Sequence, residues 1–334
     1  MTTTEKPIVL FTSPIHEAAM DAIAEHAQIR VAADVQPQTL IEAGRDASAI
    51  VVRAWLPEDY FDHTPQLLAA VRQGAGIDMV PYDNACKNGV AIANVPGVNA
   101  QSVAEYAVGQ MLGLGHKLSQ TDRTARQTGW AASRELAWNK VELHQKTVGV
   151  VGVGDVGQAV ARIAHWGLGM KVLGYRPSGL APNSWTHMVD LTTLFATADF
   201  IVLACPLNDQ THHLVNAKLL GQMKASAFLV NVARGPVVDE AALVQALQDQ
   251  QFAGAALDVF ETQPLPQDSP LWELENVVIG NHTAGMTAES VARMGAGVAK
   301  QIIQVLQGQL PENLCNPQAK EAILTRFTRR TPGF

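Results

Sequence analysis

The chain has 334 residues, 47% of them apolar and 16% charged, with 24 Lys plus Arg against 31 Asp plus Glu for a formal charge of -7. At about 150 residues per domain this length implies about two domains, and the composition excludes disordered, collagen-like and mucin-like chains. The acidic balance, with no Lys/Arg run before the last few residues, disfavours a polyanionic partner, so no nucleic acid is expected.

The N-terminal residues lack the basic start, apolar stretch and cleavage site of a signal peptide, and no apolar run is long enough to predict a membrane span. Residues 7–11 (PIVLF) read as a strand and 15–26 as a helix, with further strands expected at 49–53, 69–73 and 90–94. Strands separated by helices imply a parallel α/β sheet. A single helix over 102–128 brings Val103, Tyr106, Ala107, Gln110, Met111 and Leu114 to one side and is expected to be substantially buried. Residues 129–143 read as an arm or loop, in which Trp130 and Trp138 are either interface residues or core anchors. Strands at 147–153, 171–175, 200–204, 227–232, 254–257 and 277–280 form a second α/β unit with a doubly wound sheet. A helix over 287–308 and a polar surface tail close the chain. Cys86, Cys205 and Cys315 are too few and too widely spaced for a disulfide framework or a zinc cluster, which favours the reducing cytoplasm.

The run TVGVV is followed by Gly152-Val153-Gly154-Asp155-Val156-Gly157 and then by a helical pattern. Gly152, Gly154 and Gly157 allow a tight turn, close approach to a pyrophosphate and close helix packing, while Asp155 and Val156 open a helix whose amides face the anion. A dinucleotide site is therefore predicted. At the end of the next strand, where an acid would hold the ribose of NAD, stand Tyr175, Arg176, Pro177 and Ser178. Arg176 can pair with a 2′-phosphate and Ser178 can add a hydrogen bond, so NADP(H) is preferred. If Arg176 instead stacks on adenine, NAD(H) is accepted too.

Three further stretches place polar residues at strand ends, where a doubly wound sheet faces its ligand: Asn231-Val232-Ala233-Arg234-Gly235, the segment DVFETQP from Asp258 to Pro264, and Asn281-His282-Thr283-Ala284-Gly285. An arginine, an acid or amide and a histidine thus converge. No metal-binding spacing accompanies them, so no metal is expected. Cys205 reads as a small groove-lining residue rather than a nucleophile.

With QGAGIDMVP (73–81), NVPGVNAQSVAEYA (94–107), CPLNDQTHHLVN (205–216), VNVARGPVVDE (230–240) and ALDVFETQPLP (256–266) in order around these motifs, the chain resembles the D-isomer-specific 2-hydroxyacid dehydrogenase family over nearly its whole length. The resemblance implies two Rossmann-like domains, with a coenzyme domain (100–286) inserted in a split substrate domain (1–99 and 287–334), and a homodimer held by the long helix and arm. It implies that Arg234 forks onto the 2-oxo and carboxylate groups of a small carboxylate substrate and that His282 exchanges the proton. It further implies that the amides of Ala75, Gly76 and Ile77 hold the carboxylate and that Asn99 lines the site. Asp258 would sit near the nicotinamide carboxamide, with Val103, Cys205, Pro206, Thr211, Val232, Ala233, Ala284 and Gly285 along the coenzyme groove. Arg53 would either meet a second anionic group of the substrate or form a salt bridge at its strand end.

One position departs from the pattern. The family resemblance places Glu where this chain has Gln263, and an amide can orient His282 but cannot supply the charge that favours imidazolium. His282 is therefore expected to protonate at lower pH than in Glu-bearing relatives. Glu261 either replaces the missing carboxylate or is merely solvated. The leading function is an NADP(H)-preferring 2-oxoacid reductase, with glyoxylate or hydroxypyruvate as substrate. The alternatives are formate-type oxidation, which releases only hydride and resembles this His–Gln pairing, and a nucleotide-sensing protein without strong catalysis.

Overall fold

The computed structural model describes residues 6–330. The first residues read for a targeting signal (1–5) and the end of the tail (331–334) lie outside the described residues. The chain forms two compact units, one from Met1–Asn99 with Thr287–Phe334 and the other from Ala100–Met286.

The first unit opens with β1 (Ile8–Phe11), α1 (Glu17–Ala24), β2 (Gln28–Val31), α2 (Pro37–Gly44), β3 (Ala49–Val52), β4 (Ala69–Arg72), α3 (Tyr82–Asn88) and β5 (Ala91–Ala93). All pairs are parallel, in the order β2-β1-β3-β4-β5. Alternate residues enter opposite layers, as the two-residue period of a strand requires. Val9, Phe11 and Val51 join one core cluster, whereas Leu10, Ile50 and Val52 join another with Leu40 and Tyr60. A sheet covered on both faces tolerates no polar side, which is why AIVV of β3 is buried at every position.

The second unit contains α4 (Ala100–Gly115), α5 (Leu118–Thr128), α6 (Trp130–Glu135), β6 (Thr147–Val151), α7 (Asp155–Arg162), β7 (Lys171–Tyr175), β8 (Thr186–Met188), α8 (Leu191–Thr197), β9 (Phe200–Leu203), α9 (Ala217–Leu220), β10 (Phe228–Asn231), α10 (Glu240–Gln248), β11 (Gly254–Leu257) and β12 (Val277–Ile279). Its seven parallel strands run β12-β11-β10-β9-β6-β7-β8. The chain winds outward from β6 to β8, returns, and winds outward from β9 to β12. The strand order therefore reverses between β6 and β9, where a doubly wound sheet opens a crevice at its carboxyl edge. The chain then re-enters the first unit through α11 (Ala288–Leu306), capped reciprocally by Thr287 and Ser290, and the described residues close with α12 (Lys320–Arg330). Among the described residues no helix is long and apolar enough to cross a membrane.

Four expectations are corrected. The helix expected over 102–128 is two helices, because Lys117 adopts φ 52° and breaks the ladder between α4 and α5. Burial holds for α4 but not for α5, which has no buried residue in the chain. The arm is not a plain loop, since α6 and a 3-10 turn (Leu136–Asn139) occupy most of it. The polar tail contains α12, whose Ile323 and Phe327 are buried while Arg326 donates to the carbonyls of Thr64, Pro65, Leu67 and Asn88. The sequence reading also omitted β2, α2 and β8. β2 and β8 are short edge strands, half solvated, so their hydrophobic signal is weak.

Candidate active site

The three glycines after β6 do different work. Gly152 sits at φ 92°, and a Cβ there would lie 2.6 Å from the Cys205 backbone. Any Cβ on Gly157 would overlap the Gly152 carbonyl, so that glycine lets α7 start against the loop. Gly154 has open space around its Cβ position and caps α7 without a side-chain bond. The first-turn amides of Asp155, Val156 and Gly157 consequently face outward without intrahelical acceptors. Space at Gly154 with free amides beyond it fits the pyrophosphate of a dinucleotide.

The Gly152 amide donates to the Tyr175 carbonyl at 2.8 Å, tying the end of β7 to this loop. Arg176 follows directly. Its Nε donates to the Leu180 carbonyl at 2.6 Å, which fixes the guanidinium by one edge and leaves Nη1 and Nη2 for another acceptor. Ser178 Oγ accepts from the Leu180 amide in the same turn, beside the exposed Pro177.

Beyond β9, burial pushes the Cys205 thiol up to about 11, so it is inert as a nucleophile at neutral pH. Pro206 is exposed, and its carbonyl accepts from Thr211 Oγ1 at 2.7 Å, closing the loop on itself. After β10, buried Asn231 brackets the next turn: its Oδ1 accepts from Ala233 N at 3.0 Å and its Nδ2 donates to the Arg234 carbonyl at 3.2 Å. The Val232 amide donates to Leu203, and Arg234 Nη1 donates to the Ala233 carbonyl at 2.8 Å, bending the guanidinium back over its own turn.

Asp258, at the end of β11, is buried and builds the histidine turn. Its carbonyl accepts from His282 N at 2.7 Å, its Oδ1 from Thr283 N at 3.0 Å and its Oδ2 from Ala284 N at 2.9 Å. These bonds hold His282 at φ 58°, a conformation uncommon outside glycine. Burial, and secondarily the Asp258 charge, push the Tyr106 hydroxyl on α4 up to about 12. Both groups close on Gly280, where a Cβ would lie 2.6 Å from the Tyr106 hydroxyl. Gln263 Nε2 donates to the Phe260 carbonyl at 3.1 Å, which turns Oε1 toward His282 Nδ1 at 2.8 Å. Nδ1 therefore carries the proton of that bond. On α4, Val103 is buried, as is Ala284, whereas Gly285 is half-buried.

Glu261 is neither the residue bonded to His282 Nδ1 nor merely solvated. Its Oε1 lies 2.6 Å from His213 Nε2, which corrects both readings.

In the first unit, the amides of Ala75, Gly76 and Ile77, beyond β4, have no acceptor among the described residues. Half-buried Asn99 ends this stretch of the unit. Arg53 forms no ion pair among the described residues; its Nη1 donates to the Pro14 carbonyl, contrary to the salt-bridge reading.

A model of the D-isomer specific 2-hydroxyacid dehydrogenase NAD binding domain matches residues 108–284. The glyoxylate reductase of Korarchaeum cryptofilum is 34% identical over 342 aligned residues, spanning 98% of this chain and 99% of that protein. The chain belongs to the D-isomer specific 2-hydroxyacid dehydrogenase family. Among solved structures, the NADPH-dependent glyoxylate/hydroxypyruvate reductase of Sinorhizobium meliloti in complex with NADP and malonate matches with TM-score 0.84 and 28% identity, over 93% of this chain and 97% of that one. The NAD-dependent formate dehydrogenase of Staphylococcus aureus in complex with NAD matches with TM-score 0.81 and 27% identity, over 89% and 95%. As a member of the 2-hydroxyacid dehydrogenase family, the protein is an NAD(P)-dependent oxidoreductase of the 2-oxoacid/2-hydroxyacid class. Sequence reasoning about this family member missed the structural roles of Asn231, Tyr106 and His213. Only Asn231 had a signal, as a polar residue ending an apolar strand.

Proposed function

We propose that the protein is an NADP(H)-preferring reductase of a small 2-oxoacid, glyoxylate or hydroxypyruvate, that works as a cytoplasmic homodimer. The observation that carries the chemistry is the array of Arg234, Gln263 and His282 along the carboxyl edge of one sheet, beside the Gly152–Gly157 loop. The loop amides and helix α7 would hold the pyrophosphate, Arg176 and Ser178 the 2′-phosphate, and Val103, Pro206, Thr211, Val232, Ala233, Asp258 and Gly285 the nicotinamide half. When bound, the coenzyme supplies the hydride.

The remaining work falls to side chains. Arg234 forks onto the substrate carboxylate and 2-oxo oxygen, fixing the carbonyl and drawing its electrons toward oxygen. The amides of Ala75, Gly76 and Ile77, with Asn99, hold the carboxylate, and Arg53 is left for a distal polar group. His282, oriented through Nδ1 by Gln263, gives the proton on Nε2 to the carbonyl oxygen. Because Gln263 adds no charge, this proton is most available in acid.

The dimer reading rests on α5, which buries nothing in the chain, and on Trp130 and Trp138, exposed at 79% and 83%. A cavity of about 910 Å³ on the same unit, lined by Gly113, Lys117, Arg123, Phe252 and Trp272, gives a second copy a surface to cover. The expected outcome is a dimer on size exclusion that Trp130→Ala with Trp138→Ala shifts to monomer. Three unpaired cysteines fit a reducing compartment.

The deciding experiment is NADPH and NADH oxidation with glyoxylate and hydroxypyruvate from acid to neutral pH. Turnover best with NADPH supports the reading, and coenzyme binding without turnover rejects it. The His282–Gln263 pair also favours a second reading, oxidation of formate, which needs hydride acceptance but no proton exchange. Formate-dependent reduction of NAD or NADP without ketoacid turnover would establish that alternative.

A further inference from the structure

Three loops leave the carboxyl edge at β9, β10 and β11, and one residue from each meets in a single cluster. His213 belongs to the loop that also carries Pro206 and Thr211, Glu240 to the segment after Arg234, and Glu261 to the segment that carries Gln263. Glu261 Oε1 lies 2.6 Å from His213 Nε2 and accepts from Glu240 N at 3.3 Å, while Glu261 N donates to Glu240 Oε2 at 3.0 Å. The backbone supports the same junction. His213 N donates to the Pro236 carbonyl at 2.8 Å, and Val215 bridges to Val238 in parallel. Gly235 has no room for a Cβ, because the backbone of Phe260 and Glu261 occupies that space.

We propose that Glu261 is a positioning residue: through His213 and Glu240 it locks the coenzyme loop, the Arg234 turn and the Gln263–His282 pair into one frame. This assignment rests on the reductase reading for the roles of Arg234 and His282. The spacing favours it. Glu261 is two residues before Gln263, His213 is two after Thr211, and Glu240 is six after Arg234, so movement at the cluster is transmitted over short lengths of chain. A charged carboxylate that accepts from both a ring N–H and a backbone amide makes a stronger tie than either bond alone. His213 lies at φ 49°, a conformation uncommon outside glycine, where its amide bonds the Pro236 carbonyl and its ring meets Glu261. The neighbouring His212 ring stacks on His213 with centroids 4.0 Å apart, restricting its rotation.

The test compares Glu261→Ala, Glu261→Gln and His213→Asn, the last chosen because Asn tolerates the left-handed backbone at that position. Readouts are the NADPH dissociation constant by fluorescence, kcat and KM, the thermal midpoint, and the His282 tautomer from ¹H–¹⁵N spectra of the histidine-labelled protein. In Glu261→Ala and His213→Asn we expect NADPH to bind about threefold to tenfold more weakly and kcat to fall about tenfold, with substrate KM changing less. The His282 Nδ1–H signature should weaken while the midpoint stays near wild type. Glu261→Gln, which keeps the acceptor oxygen, should restore most of both losses, and the double variant should lose no more than either single one. Wild-type coenzyme affinity and an unchanged His282 tautomer in folded Glu261→Ala would overturn the proposal. So would equal losses in Ala and Gln accompanied by a lowered midpoint, which mark a purely structural role. Because coenzyme affinity and tautomer are read without substrate, the result stands apart from whether glyoxylate is turned over.

Discussion

Gln263 Oε1 accepts from His282 Nδ1 at 2.8 Å, and the other end of the same amide is committed to the Phe260 carbonyl. The amide cannot flip without losing that bond, so the imidazole is oriented by a neutral group. Replacing Gln263 with Glu adds a negative charge at the same distance and favours imidazolium, raising the histidine pKa by about 1–3 units. The high-pH limb of 2-oxoacid reduction, where the protonated histidine is lost, should move to higher pH by about that amount in Gln263→Glu. A pH profile of kcat/KM checks it, and superimposable profiles would show that the pair does not control the proton.

Arg176 is held through Nε by the Leu180 carbonyl, and among the described residues its two terminal nitrogens take no other hydrogen bond. Arg176→Ala should lower kcat/KM for NADPH by about 10-fold to 100-fold, the worth of one or two charge-assisted hydrogen bonds at about 1.5–3 kcal/mol. The value for NADH should change less than about 2-fold. Initial rates with both coenzymes decide the point, and equal losses would assign Arg176 to adenine stacking.

In the proposed reductase, Arg234 would bind the planar substrate through a guanidinium fork. Arg234→Lys retains the charge but loses the fork, so kcat/KM for glyoxylate should fall about 100-fold or more, corresponding to about 2.7 kcal/mol. The thermal midpoint should stay near wild type, since the side chain is only half-buried. Steady-state kinetics with a parallel melting curve separates the two effects.

Burial, and after it the Glu261 charge, hold the Glu240 carboxyl above the ordinary range, partly offset by the Glu261 amide. A carboxyl whose folded pKa is raised stabilises the fold below its unfolded pKa and loses that contribution as pH rises through the folded value. Glu240→Gln, which keeps an acceptor for the Glu261 amide, should therefore melt higher than wild type at neutral pH, with the gain vanishing in acid. Melting curves at pH 4 and pH 7 test the sign.

Much of the second unit was legible because its strands are buried on both faces. FIVL of β9 and FLVN of β10 are continuous apolar runs ended by chemistry-bearing residues, and the glycine loop announces itself through three small residues at fixed spacing. Two of the four edge strands, β2 and β8, gave no such signal. QIRV of β2 is half solvated and THM of β8 only three residues long. The break at Lys117 was hidden too, since a lysine in left-handed backbone leaves no mark in a helical pattern. In α12, Ile323 and Phe327 are four apart on one face, but charged neighbours masked that stripe.

By itself the sequence determined the parallel α/β architecture and the dinucleotide loop, because periodicity and glycine spacing are local properties, and the family resemblance put forward Arg234, Gln263 and His282 as candidates. Tertiary structure alone decided which partner each polar group takes. Glu261 and Gln263 are two residues apart and each offers a side-chain oxygen as acceptor, yet one bonds His213 and the other His282. That division follows from how the loops after β9, β11 and β12 cross at the sheet edge. Such contacts join residues 48 and 19 positions apart, a separation over which no sequence pattern specifies direction.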